Sequence, residues 1–376
     1  MSHIDTFDPK RRGDKKKIAG TYYDSIETAM PGVRVTEHLP RVAKLIERMT
    51  IVRTVSHNTF DEHATATQFV HSGRRLSETI RYPSIGSIIS HERGAAAEGV
   101  PPYVLIGYPN GARDPGFLGP KYGYLYLTDT ESGPAGFMRP DDVDAARAAR
   151  REILLDRMRA KAAADPAYAA QDEVIAQSLR LAGPQFMRTF NLKEESPTLR
   201  AQYGGEFGQR CLLARRLVED GVRFIEVSHN LNFINGTGWD IHNDGHLKQH
   251  VLIQELDNAL STLITDLENR KMLDRTLVVV ATEFGRPPEF DAGGGRGHQS
   301  KCYSMVLAGG GLRHRGVYGR SDDLAKTVAE YPVTIPDFHA TICAAMRIDP
   351  AKKLVDDFKR PVPITDGGIP VAQLLI

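Results

Sequence analysis

Short apolar runs rich in β-branched residues recur along the chain, and they predict buried strands at residues 51–55, 102–106, 224–227, 277–281 and 303–307. Between them the apolar positions fall at helical spacing. Residues 37–49 carry Leu39, Val42, Ala43, Leu45 and Ile46 on one face, and a second helical pattern covers 64–71 and stops at Gly73. A further helix starts from Pro83. Another spans 207–219 and is closed by Gly221, and 336–346 reads as the last helix. The longest pattern, about 247–272, places Leu252, Leu256, Leu260, Leu263 and Leu267 on one stripe that lies along the sheet.

Three stretches depart from this alternation. Residues 1–35 are polar and rich in Gly, Pro and Lys, which predicts irregular structure; the basic run Arg11 to Lys17 reads as a solvated loop. Residues 109–123 are dense in Gly and Pro and predict an ordered surface loop. Residues 141–192 are rich in Ala, Arg and Glu and predict two or three helices, so that 139–200 forms a helical insertion within a single α/β domain covering 1–376.

Composition changes this picture little. The 376 residues carry 48 basic and 47 acidic side chains, a net charge of +1, so no overall field draws the chain to nucleic acid or an anionic membrane. Cys211, Cys302 and Cys343 are too few and too scattered for a disulfide framework or a thiolate zinc site. No apolar run reaches the length of a membrane span. The first residues lack the apolar core of a secretion signal, which reads as an untargeted, cytoplasmic chain.

Candidate chemistry gathers where strands end. Glu283 follows the 277–281 strand directly, and Gly285, Arg286, a Pro-Pro turn and the run Gly293 to His298 follow it. In open α/β sheets that edge carries ligands, and glycines there let backbone approach them closely. Asp240 and His242, two residues apart in the loop after the 224–227 strand, point the same way and suit one ion. With Glu283 and His298 they offer mixed oxygen and nitrogen donors of the kind that suit zinc, manganese or iron. Bland readings stand beside this one: Glu283 as an ion-pair partner of Arg286, and His298 bonded to backbone. His57 and His63 fit metal ligands, a general base, or neither. His250, His314 and His339 have no acidic company in the sequence and read as structural.

The segments Ser2 to Lys10, Arg53 to His57, Trp239 to His242, Thr282 to Arg286, Gly295 to His298 and Leu307 to Gly311 resemble the domain of unknown function 1501 family over nearly the whole chain. This bacterial group is similar to sulfatases of the alkaline-phosphatase superfamily. The resemblance implies a doubly wound α/β sheet with helices on both faces. It also implies one or two divalent metals at the carboxyl edge, and turnover of a phosphate or sulfate ester, small or polymeric. Asp240, His242 and His298 would hold one metal, Glu283 and Asp5 the other, with His57 a further ligand. Arg286 or Arg296 would steady the oxyanion.

Two departures qualify the resemblance. His63 stands where the phosphatases carry a hydroxyl nucleophile, so it would bind metal, act as a base or be phosphorylated; Thr65 is two positions away. Relatives carry an export signal and an apolar first strand ahead of the Ser2-His3 motif, so the family suggests an exported protein, and in this chain the first strand is expected to be missing. The alternative to a hydrolase is a non-catalytic protein that keeps the fold to bind a sulfated or phosphorylated polymer or a protein partner. A phosphoryl-transfer mutase is a smaller alternative.

Overall fold

The β-branched runs form strands; those at Met49–Ser56, Tyr103–Ile106 and Tyr303–Gly309 are largely buried on both faces of a sheet, whereas Phe224–Val227 and Leu277–Val280, expected to be buried, are only partly so. In the computed structural model, which describes residues 1–59, 61–127, 130, 133, 142–162, 184–229, 238–242 and 246–376, β1 is Met49–Ser56, β2 Tyr103–Ile106, β3 Leu125–Leu127, β4 Phe224–Val227, β5 Leu277–Val280, β6 Tyr303–Gly309, β7 Gly316–Tyr318 and β8 Val333–Thr334. Five of these form a mixed sheet in the order β8-β1-β6-β5, with β7 also paired to β1. Strand β6 runs antiparallel to both β1 and β5, while β7 and β8 run parallel to β1. A second sheet, β3-β2-β4, is wholly parallel.

The helices that pack on the sheets or carry the site are α1 (His63–Ser72), α2 (Ile85–Arg93), α3 (Glu206–Glu219), α4 (His246–Asn269) and α5 (Ile335–Ala345). Alternation along β6 divides the core between them. Val306 and Ala308 pack with Ile253, Leu256, Leu260 and Ile264 of α4. Met305 and Leu307 pack with Ile335, Phe338 and Ile342 of α5. Each such aliphatic side chain removed from water contributes roughly 1.5–3 kcal/mol. The result is a mixed α/β fold with helices over both faces of the five-stranded sheet.

Several sequence expectations are sharpened here. The predicted helix over 37–49 is only the short Pro40–Lys44, followed by a 3-10 turn at Ile46–Arg48, because Leu45 leaves helical geometry at φ −105°, ψ 10°. Gly73 closes α1 in the left-handed conformation, φ 69°. The 109–123 loop consists largely of three 3-10 turns. Of the expected helical insertion, Ala145–Ala162 and Pro184–Arg188 are helical, and the rest of 139–183 lies largely outside the described residues. The amino-terminal segment is irregular apart from a hairpin of Ser25–Glu27 with Arg34–Thr36, yet it is not peripheral. Ser2, His3, Asp5, Thr6 and Asp8 are at most 1% exposed.

Candidate metal centre

The polar residues of the site are delivered by strand ends and by the first turn of α1. Strand β1 ends at Ser56, and the chain re-enters helix at His63, where the Glu62 carboxylate accepts from the Ala64 and Thr65 amides at 2.8 and 2.9 Å. That N-cap fixes the helix start and holds His63 at the sheet edge. Strand β5 runs straight into Thr282 and Glu283. The loop holding Arg286 is tied to the loop holding His298 by paired bonds: the Gly285 amide donates to the Gln299 carbonyl at 2.8 Å, and Gln299 returns one at 3.1 Å.

At the centre is one carboxylate oxygen. Asp240 Oδ1 lies 3.1 Å from His63 Nε2, 3.1 Å from His242 Nε2 and 3.2 Å from His298 Nε2, and it accepts from Arg286 Nη2. His242 Nε2 and His298 Nε2 are themselves 3.1 Å apart. Among the described residues His63, Asp240 and His298 form a group that could hold a metal ion, their ligand atoms lying within 4.8 Å of one another. Zinc holds nitrogen at about 2.0–2.1 Å, so tetrahedral donors stand about 3.3 Å apart. The spacing around Asp240 Oδ1 is close to that.

The outer bonds orient these donors. His298 Nδ1 lies 2.7 Å from the Asp61 carbonyl, so the proton belongs on Nδ1 and Nε2 is left as the ligating nitrogen. Phe284 stacks on the His298 ring at 4.4 Å, which limits its rotation. His63 Nδ1 reaches Glu283 Oε1 at 2.9 Å, and Thr282 donates to Glu283 Oε2 at 3.1 Å.

The electrostatics follow. Burial alone would raise the Asp240 carboxyl, but bonds from His298, His63 and Arg286 outweigh it and hold the group well below the usual carboxylate range. Glu283 is likewise lowered to about 2: burial opposes ionisation, while His63 and the nearby Met1 ammonium favour it. His63 is raised to about 9; burial disfavours its charge, but it bridges Asp240 and Glu283. Two ionised carboxylates thus hold a proton between them on an imidazole, and such a donor set favours a cation.

The other candidates lie apart from this centre. Asp5 is held by Arg296 through Nε at 2.8 Å and Nη2 at 3.1 Å, by the Ser2 hydroxyl and by the Tyr22 amide. Arg296 also donates to the carbonyls of Pro287, Pro288 and Gly20, which engages all three of its nitrogens. The geometry therefore gives Asp5 and Arg296 to each other. His57 uses Nε2 on the Glu283 carbonyl at 2.7 Å and Nδ1 on the Thr59 hydroxyl at 2.6 Å, so it positions Glu283 backbone. Thr65 gives its hydroxyl to Glu62 at 2.8 Å. Sequence reasoning gave no role to Asp61 or Phe284; Phe284 lies inside the Thr282 to Arg286 motif, whereas a carbonyl contact such as that of Asp61 leaves no residue-type signal.

The fold and site define a mixed α/β protein with a candidate histidine–carboxylate metal centre at a sheet edge. The chain belongs to the family described as protein of unknown function (DUF1501), whose model matches residues 1–375. No curated protein matches the sequence. Among solved structures, the crystal structure of Ps i-CgsB is similar at 12% identity and a TM-score of 0.42, over 88% of this chain and 69% of that one. The crystal structure of Ps i-CgsB in complex with k-i-k-neocarrahexaose is similar at 12% identity and a TM-score of 0.40, over 83% and 67%.

Proposed function

We propose that the protein is a metal-dependent hydrolase of a phosphate or sulfate ester, as its sequence resemblance to sulfatase-like proteins implies. The observation that supports it most is the convergence of three imidazole nitrogens on Asp240 Oδ1 beside the guanidinium of Arg286. In this reading His63, Asp240, His242 and His298 hold a divalent ion, zinc, manganese or iron, which supplies Lewis-acid polarisation of an ester oxygen. Glu283 orients His63 through Nδ1. Arg286, 1% exposed, keeps a fixed positive charge beside Asp240, and in this reading that charge steadies the anionic group of the substrate.

One observation favours a second reading. The Thr65 hydroxyl caps a carboxylate and His63 occupies the start of the helix, so the described site offers no free side-chain hydroxyl for covalent attack. A protein that uses the centre to bind a sulfated or phosphorylated ligand without turnover fits this equally.

Metal content of the purified protein by elemental mass spectrometry, against His298→Ala, followed by turnover of aryl sulfates and phosphates, separates the two. Bound metal lost in the variant, with turnover that follows the metal, supports the hydrolase. Metal without turnover supports the binder. No metal in the wild type sinks both.

A further inference from the structure

The metal centre meets solvent on the side of His242. That side chain is 33% exposed, whereas those of His63 and His298 are 15% and 16% exposed. Beside it stands Asp291, its Oδ2 3.7 Å from His242 Nδ1. The residues just before Asp291 tie this rim to the amino-terminal segment. The Gly20 amide donates to the Pro288 carbonyl at 3.0 Å, and a Cβ on Gly13 would stand 2.8 Å from the Phe290 ring. Residues 10–20 are thus fastened to the loop that reaches His242.

The fastened segment is basic. Lys10, Arg11, Arg12, Lys15, Lys16 and Lys17 stand against a single acid, Asp14. Asp8 neutralises Lys10, and Asp24 neutralises Arg12. The Asp14 carboxylate accepts from the amides of Lys16, Lys17 and Ile18 at 2.7–2.9 Å, which fixes the turn. Arg11, Lys15, Lys16 and Lys17 are exposed on it, so four cations remain at the surface next to the open side of the centre.

We propose that this basic loop binds a linear polymer carrying repeated sulfate or phosphate ester groups and holds it across the open side of the metal centre. The proposal rests on the reading of the centre as a site for such esters, and it names the polymer. Exposed cations spread along Arg11 to Lys17 converge on no single point, and solvent screens each of them, so a small anion gains little there. A chain with anions along its length meets several at once, and each contact raises the local concentration of the next. Nucleic acid is disfavoured because single strands bind through aromatic platforms. The two rings at the loop already carry cations: Lys15 Nζ lies 4.2 Å from the Tyr22 centroid, and the Arg296 guanidinium 4.2 Å from that of Phe290.

The test measures binding of fluorescent dextran sulfate and dextran phosphate at about 0.15 M salt, with uncharged dextran and single-stranded DNA alongside. It compares the wild type with Lys15→Gln/Lys16→Gln/Lys17→Gln and with an equal charge loss on other elements, Lys193→Gln/Lys353→Gln/Lys359→Gln. The expected result is a Kd about ten-fold or more weaker, with a shallower salt dependence, in the loop variant only. Its metal content and any turnover of a small aryl ester stay at the wild-type level, and the tighter of the two dextrans names the ester. Binding is read without turnover, so selective loss in the loop variant supports the proposal even where no ester is hydrolysed. Four outcomes would each overturn it: no affinity of the wild type for either charged dextran, unchanged affinity in the loop variant, equal weakening in the control variant, or DNA bound as tightly as the dextrans. Aryl-ester turnover that persists in any of those cases leaves the hydrolase reading standing.

Discussion

Asp5 and Arg296 meet in a two-point ion pair, Nε to Oδ2 at 2.8 Å and Nη2 to Oδ1 at 3.1 Å, with both side chains fully shut off from solvent. The pair joins the amino-terminal segment to the loop before His298. Removing one partner strands the other charge, so Asp5→Asn is expected to cost about 3–5 kcal/mol in denaturant unfolding. Metal content of the surviving folded protein should be unchanged, because Asp5 is not among the converging donors; a proportional loss of metal would return Asp5 to the ligand set.

Arg286 separates binding from chemistry. Arg286→Gln removes a fixed positive charge beside Asp240 and leaves the donors His63, His242 and His298 in place. If the hydrolase reading holds, kcat/KM for an aryl sulfate or phosphate falls roughly 10²- to 10³-fold while bound metal is retained. Unchanged turnover would remove Arg286 from the anion site.

Gly285 is required by close approach. A Cβ there would stand 2.2 Å from His3 Nδ1 and 2.7 Å from the Cβ of Tyr303, both fully buried. Gly285→Ala is therefore expected to destabilise the fold by about 1–3 kcal/mol, read as a lowered unfolding midpoint. It should also weaken metal uptake, because the Gly285–Gln299 bond pair sets the distance between Arg286 and His298.

Acid sensitivity should trace in part to His339. Burial, with only the Val70 carbonyl at 2.8 Å to favour its charge, lowers its pKa to about 4. The unfolded chain, near the ordinary 6.5, binds the proton first, so stability is full above that value and declines as pH falls toward 4. The shift corresponds to roughly 3 kcal/mol. Denaturant midpoints at pH 5 and 7.5 should differ in the wild type and differ less in His339→Gln.

The sequence by itself determined the local elements and the residue types of the centre. The β-branched runs at 277–280 and 303–307 both form strands, of which only the second is fully buried, and Glu283, Asp240, His242 and His298 stood out as acids and imidazoles in loops at one sheet edge. Tertiary structure decided which of them meet. Asp5 and Arg296 look like a ligand and an anion clamp in the chain, and 291 positions separate them, yet burial forces each to neutralise the other. His63 could be ligand, base or neither until its two nitrogens were seen between Asp240 and Glu283. That β4 and β5 each end a sheet among the described residues was equally hidden, because an apolar run predicts a strand and says nothing of what lies beside it. Pairing and charge neutralisation depend on distances across the fold, and spacing along the chain does not carry them.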